Sequence, residues 1–429
     1  MAITERQIAN IGTGGESFDP QGFNIEKLQL ISVDRSKSWD LFSIFSKLSI
    51  TESIYSFGLE LQVEFIDEKN VIESLPIIGQ EIILLEIRKK DHTFNSDKLI
   101  RLEFFVTDYP FYTRLPKPYS AAFTINAISP HVFLSEQKKI SRSSKQNTVD
   151  EIEKILSQDL NLSNIIKKGE AITKWNGIIT TSTPLDAMEM LLSLSYDSEY
   201  SPFYVFQTLN GNMNILSYSQ MTKQESIITL NNQKLNNQQY VTKEYYVDQM
   251  KMLLDLTSKF SMSKFDKGSE GTWSSRNFFL DFSNKTFTNS DFSYLSDFNI
   301  DTTLEGRKVL KKPNPYNPES FFDYKSLNSK AFGENENASQ LFRDSKGKHR
   351  VYDPLLDSYY FDIVINGNMS TNPGKVIELA LSKATDPTIN ENIDTDDEYL
   401  SGRYCITSAI HNFEDGKYTT NIRVKRDSI

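Results

Sequence analysis

The chain has 429 residues, of which 38% are hydrophobic and 24% charged, with a formal net charge of −10. That length allows about three domains with cores of their own, and the composition excludes a chain disordered throughout. The acidic balance argues against a nucleic-acid binder held by phosphate contacts, which needs a basic face. No apolar run approaches the roughly 20 residues of a membrane span, and the N-terminus carries Glu5 and Arg6 without the apolar stretch of a secretion signal. The single cysteine, Cys405, excludes an intrachain disulfide and a cysteine-based zinc site, as in a protein made in a reducing cytoplasm.

Residues 1–22 include Gly12-Thr13-Gly14-Gly15 but lack the apolar strand, terminal lysine and following helix of a phosphate loop, so they are expected to form a flexible arm. Residues 23–137 form a first β-domain. A strand over 25–33 opens it, Leu59, Leu61, Val63 and Phe65 alternate, and Asp67-Glu68-Lys69-Asn70 turns the chain. Leu75-Pro76-Ile77-Ile78-Gly79 then breaks it before Ile83, Leu85 and Ile87, and strands over 99–107 and 119–129 follow.

The basic, Ser-rich stretch 138–147 is expected to be a linker to a small α+β domain, 148–238. There Thr148 and Glu151 fit a capping box, while Thr183 and Pro184 fit a second helix start. Strands over 203–207 and 213–217, separated by Asn210-Gly211, fit a hairpin. A second β-domain takes 239–282 and 359–429, beginning with a strand over 245–260. Residues 283–358, rich in Asn, Ser, Asp and Phe, form an insertion.

The last seventy residues repeat the first β-domain in outline. Phe361, Ile363 and Ile365 alternate, Pro373-Gly374 breaks the chain, and Ile377, Leu379 and Leu381 alternate again. Two further strands follow, Tyr404, Ile406, Ser408 and Ile410, then Tyr418, Thr420, Ile422 and Val424, with Asp415-Gly416 in the turn between them. Strand, Pro/Gly break, strand, strand, strand thus occurs twice. Duplication accounts for it, the alternative being two unrelated antiparallel sheets.

Catalytic signals are weak. His92, His131, His349 and His411 are scattered, without a second ligand at metal-binding spacing. Asp394, Asp396, Asp397 and Glu398 lack the glycine of an EF-hand loop and read as a solvated acidic turn. No catalytic, cofactor or metal site is expected.

Three stretches carry a resemblance: residues 49–55 with Glu52; Pro76, Gly79, Gln80 and Glu81; and the final run with Ser401, Gly402, Tyr404, Ile406, His411, Tyr418 and Arg426. With Gly374 in the second break, they resemble the baseplate hub proteins of contractile-tailed phages, related to the N-terminal part of type VI secretion spike proteins. The resemblance covers most of 23–282 and 359–429 and leaves the insertion unmatched. It implies a mainly β chain in which two tandem tail-tube-like antiparallel β-barrels flank the small α+β domain. It implies a homotrimer in the virion baseplate, joining a sixfold tail tube to a threefold central spike. Wedge and tape-measure proteins would be further partners, and DNA would pass through the channel without specific binding. The alternatives are a tail-associated cell-wall hydrolase or carbohydrate-binding protein, with the insertion as its active part, and the hub of a genome-free contractile injection system.

Overall fold

A computed structural model describes residues 21–68, 77–88, 99–116, 120–232, 243–259, 264–309, 316–327, 338–357, 359–383 and 397–428. Most of the arm, Pro76, His92 and the acidic residues Asp394 and Asp396 lie outside them. The chain is mainly β, and its sheets are largely antiparallel.

The first repeat comprises β1 (Asn24–Ile31), β2 (Ser38–Asp40), β3 (Phe45–Ser53), β4 (Glu60–Asp67), β5 (Ile82–Arg88), β6 (Leu99–Arg114) and β7 (Ala121–Ile128). Alternation in β4 buries Leu61, Val63 and Phe65 and turns Glu60 and Gln62 to the surface. Helix α1 (Pro130–Glu136) leads to a small α+β unit with β8 (Ile140–Asn147), α2 (Thr148–Lys154), β9 (Ile165–Lys168), β10 (Lys174–Ser182), α3 (Pro184–Leu192), β11 (Phe203–Gln207), β12 (Met213–Ser217) and α4 (Tyr218–Thr222).

The segment expected as a linker is therefore mostly strand β8, paired with β10. Its polar residues are held from one side: Arg142, Ser144 and Gln146 all donate to the buried Glu151 carboxylate. Glu151 is thus drawn away from the expected capping box, and Asn147 caps α2 instead, accepting from Val149 N at 3.0 Å. The Thr183 cap forms as expected, reciprocally with Asp186, and so does the hairpin of β11 and β12.

The second repeat begins earlier than expected, at β13 (Ser226–Asn231). The stretch 245–260 is divided between helix α5 (Lys243–Met250) and strand β14 (Leu253–Lys259). The insertion starts before 283: after α6 (Lys264–Ser269), β15 (Ser274–Asp281) joins β16 (Thr286–Ser293) and β17 (Phe322–Leu327) in a separate three-stranded sheet. Short α7 (Tyr294–Asp297) and long α8 (Ala338–Leu356) complete it. The repeat then resumes with β18 (Tyr359–Asn366), β19 (Val376–Ala380), β20 (Gly402–Glu414) and β21 (Lys417–Arg426).

Both repeats share one 13-stranded sheet. Within it, leaving aside the short β2 beyond β1, the first repeat runs β3-β4-β7-β6-β5-β1 and the second β14-β18-β21-β20-β19-β13, so each place is taken by the strand of the same rank along the chain. Registers agree as well. Leu61 and Val106 face Ala127 from its two sides, and Phe361 and Ile406 face Val424 in the same way. Bulges fall at matching places, between Val106 and Asp108 and between Ile406 and Ser408, and again between Phe45 and Lys47 and between Leu253 and Asp255.

Each repeat has a core, and Phe413 and Tyr418 of the second reach into that of the first. Leu28, Ile50, Val63, Leu85, Phe104 and Ile125 fill the first, and Leu230, Ile363, Leu379, Ile406 and Ile422 the second. Each also curls back on itself, Leu41 N donating to Leu28 O at 2.9 Å and Asn231 N to Lys251 O at 3.0 Å. Among the described residues these contacts do not extend into a ladder that closes a barrel. The expected separation of the two repeats also fails at one edge, because β3 pairs with β20 across the junction.

Candidate functional site at the joint between repeats

β3 and β20 run antiparallel from Ser53 opposite Ser408 to Lys47 opposite Glu414. This register brings together three residues singled out in the sequence, Glu52, His411 and Tyr418, all fully buried. The Glu52 carboxylate accepts from Leu209 N at 2.7 Å, from Asn372 Nδ2 at 3.2 Å and from His411 Nε2 at 3.1 Å. His411 Nδ1 is left for the Tyr418 hydroxyl, 2.7 Å away. One carboxylate thereby ties the first repeat, the small unit and the second repeat together. A buried charge is tolerable only with such a full set of partners.

Tyr418 also stacks on Phe413, with ring centroids 4.5 Å apart, and its backbone N–H donates to Gln21 O. Its ring leaves no room at Gly367, where an added Cβ would lie 2.1 Å from Tyr418 Cδ1. A carboxylate, an imidazole and a hydroxyl in line have the parts of a proton relay, but complete burial of all three keeps substrate out, and the arrangement works as a clamp.

A second cluster surrounds the chain's final motif. Arg426 Nη1 donates to Ser401 O at 3.0 Å and Tyr399 O at 3.3 Å, and the guanidinium lies 5.5 Å from the Tyr404 ring centroid. Gly402 between them has φ 134°, and a Cβ there would come within 2.9 Å of Glu305 Oε1. Arg403 donates to the carbonyls of Leu304, Thr222 and Gln224. Asp427 accepts from Leu304 N at 3.0 Å and from the Tyr218 hydroxyl. Burial raises the Asp427 carboxyl above its ordinary range and the Tyr218 hydroxyl well above its own. The end of β21 therefore staples insertion and small unit onto the second repeat.

The remaining motif residues hold the two chain breaks. Glu81 folds back to accept from Ile78 N at 2.8 Å and Gly79 N at 3.1 Å, fixing a turn with φ 81° at Gly79 and 112° at Gln80. Gln80 N then donates to Val106 O, and Val106 N to Glu81 O. Gly374, at φ 78°, donates from its N to Ile406 O, and Ile406 N to Lys375 O. The same pair of bonds occurs in both repeats, with Ile406 in the place of Val106.

Two of the solved structures that share this fold are tail proteins. One is the tail protein from Neisseria meningitidis MC58, at TM-score 0.55 and 10% identity over 95% of this chain and 97% of that one. The other is the 43 kDa tail protein of prophage MuSo2 from Shewanella oneidensis, at TM-score 0.55 and 11% identity over 94% and 98%. At such identities the likeness is one of fold. No family model and no curated protein matches the sequence.

Asn372, Arg403, Glu305, Tyr218 and the Leu209 N–H escaped the sequence reading. Asn372 alone had a signal, its place beside Pro373-Gly374. Among the described residues no group of His, Cys, Asp and Glu is arranged to hold a metal ion, and no helix is long and apolar enough to cross a membrane. Cys405 is buried, its thiol pushed up to about 12 by desolvation.

Proposed function

We propose that this chain is a structural hub of a contractile phage tail, a homotrimeric adaptor between a sixfold tail tube and a threefold spike. One observation carries the reading: a single chain holds the same six-strand order twice, with bulges in matching places. Three such chains present six tube-like units, each a barrel drawn together at the Leu28–Leu41 and Asn231–Lys251 contacts. The clamp on Glu52 suits a part that bears load and catalyses nothing. Tube, spike, wedge and tape-measure proteins are the partners in the assembled baseplate, made in the host cytoplasm. A reconstruction of the tail tip is expected to show three copies in one ring, and six copies would refute the adaptor.

DNA is expected to pass without sticking. Each chain carries −10, and the polar face of β4 presents Glu60 and Gln62. A basic wall would bind phosphates by releasing counterions. A gel-shift titration at low salt, where screening is least, is expected to show negligible duplex binding, and micromolar retention would overturn the conduit.

A second reading, sugar binding by the insertion, has one observation in its favour. Phe278 stacks with Tyr324 at 4.8 Å and Phe287 at 5.7 Å, and Phe287 and Tyr324 are 62% and 67% exposed. Co-sedimentation with peptidoglycan, lost in Tyr324→Ala, would support it.

A further inference from the structure

β20 has two neighbours on one side. Residues 402–405 pair with β19 and residues 408–414 with β3. β6 holds the place of β20 in the first repeat, and its residues 99–105 pair with β5. Beyond its bulge, no strand among the described residues lies on that side of 107–114. Counting along the shared registers, Tyr112 and Arg114 stand where the second repeat has His411 and Phe413. His411 and Phe413 are fully buried under the joint, whereas Tyr112 and Arg114 are exposed.

β14 holds the place of β3. β18 occupies one of its edges, and no described strand lies along the other over 255–259. Leu254 beside this edge is 38% exposed. Among the described residues both halves of the β3–β20 joint thus occur twice and the joint is made once. An open strand edge of this kind is a template for another chain.

We propose that the second joint forms between copies of this chain, residues 111–115 of β6 pairing antiparallel with residues 255–259 of β14 in the next copy. Transferring the internal register places Tyr112 opposite Ser258 of the partner subunit, Thr113 opposite Thr257 of the partner subunit and Arg114 opposite Leu256 of the partner subunit. Pro110, which has no N–H to offer a ladder, sits in the β6 bulge just before this segment. The contact is head-to-tail, so it propagates until a ring closes. Internal and external joints then alternate around that ring with equivalent geometry. The number of copies rests on the hub reading; the pairing itself rests only on the repeat.

The test is the full-length double variant Thr113→Cys with Thr257→Cys, oxidised at high protein concentration and run on a non-reducing gel. Directly opposite residues of an antiparallel ladder lie about 4.5–5.5 Å apart, within the reach of a disulfide, and the native cysteine is buried. The expected result is loss of the monomer band to a covalent ladder ending at three, with little cross-linking in the off-register pair Thr113→Cys and Asp255→Cys. A ladder running past three keeps the pairing and overturns the trimer. Trimers by light scattering that stay monomeric on the gel overturn the pairing and leave the hub reading standing. Monomers by both measurements overturn the pairing. Should the first variant fail to fold, Tyr112→Cys with Ser258→Cys reads the same register.

Discussion

The two repeats agree in their inner strands and differ at their margins. The second strand leads straight into the third in the first repeat, where β3 and β4 form a hairpin, while the insertion separates β14 from β18 in the second. β1 runs antiparallel to β5, but β13 runs parallel to β19. The bulges and the turn bonds to Val106 and Ile406 survive both changes. What the unit requires is therefore the five-strand ladder with its two bends. The outermost strand is accepted in either direction, because its edge groups need a partner and take one from a strand of either polarity. In the second repeat that strand arrives from the small unit, which sets its direction.

The sharpest break of this comparison sets the clamp against its open counterpart. Glu52→Ala leaves His411, Asn372 and Leu209 N without their buried acceptor and is expected to cost about 3–5 kcal/mol in denaturant unfolding. Tyr112→Ala, at the place of His411 in the other repeat, is expected to cost about 1 kcal/mol in the monomer, since Tyr112 is 49% exposed. Equal costs would show that the place of His411 is not open in the first repeat.

The insertion, present in one repeat only, has its own signature in acid. Burial pushes the His349 imidazole from 6.5 down to about 4, and burial also depresses His131 beside the first repeat. Both favour the neutral ring in the fold, so their stabilisation is complete above about pH 6.5 and is lost as pH falls, for His349 as it approaches about 4. Thermal melts are expected to fall over that window, and His349→Phe is expected to flatten the fall more than it changes stability at neutral pH. The smallest effect lies at the rim of the joint, where Lys47 and Glu414 approach to 3.8 Å in the open. Lys47→Met is expected to change stability by less than about 0.5 kcal/mol.

Much of this fold was legible. Alternation in β4, β18, β20 and β21 marked those strands, and the Pro/Gly breaks fixed their order in both repeats. The pairing of β3 with β20 was not, because a period of two says which face is buried and nothing about which distant strand lies alongside. The polar β8 hid as a linker, since its order comes from Glu151 and not from apolar residues. Of the site, Glu52, His411 and Tyr418 were marked by the resemblance, yet that they meet at one carboxylate depends on contacts between residues hundreds of positions apart.

That separation governs how the protein is made. Glu52 and His411 lie 359 residues apart in sequence, so the ribosome adds residues for about 20–70 s after Glu52 before His411 exists. Throughout that time β3 lacks its neighbour and the Glu52 carboxylate lacks its clamp. The first repeat must wait, with a sticky edge exposed, for almost the last strand of the chain. Truncation before β20 is therefore expected to leave an aggregation-prone product.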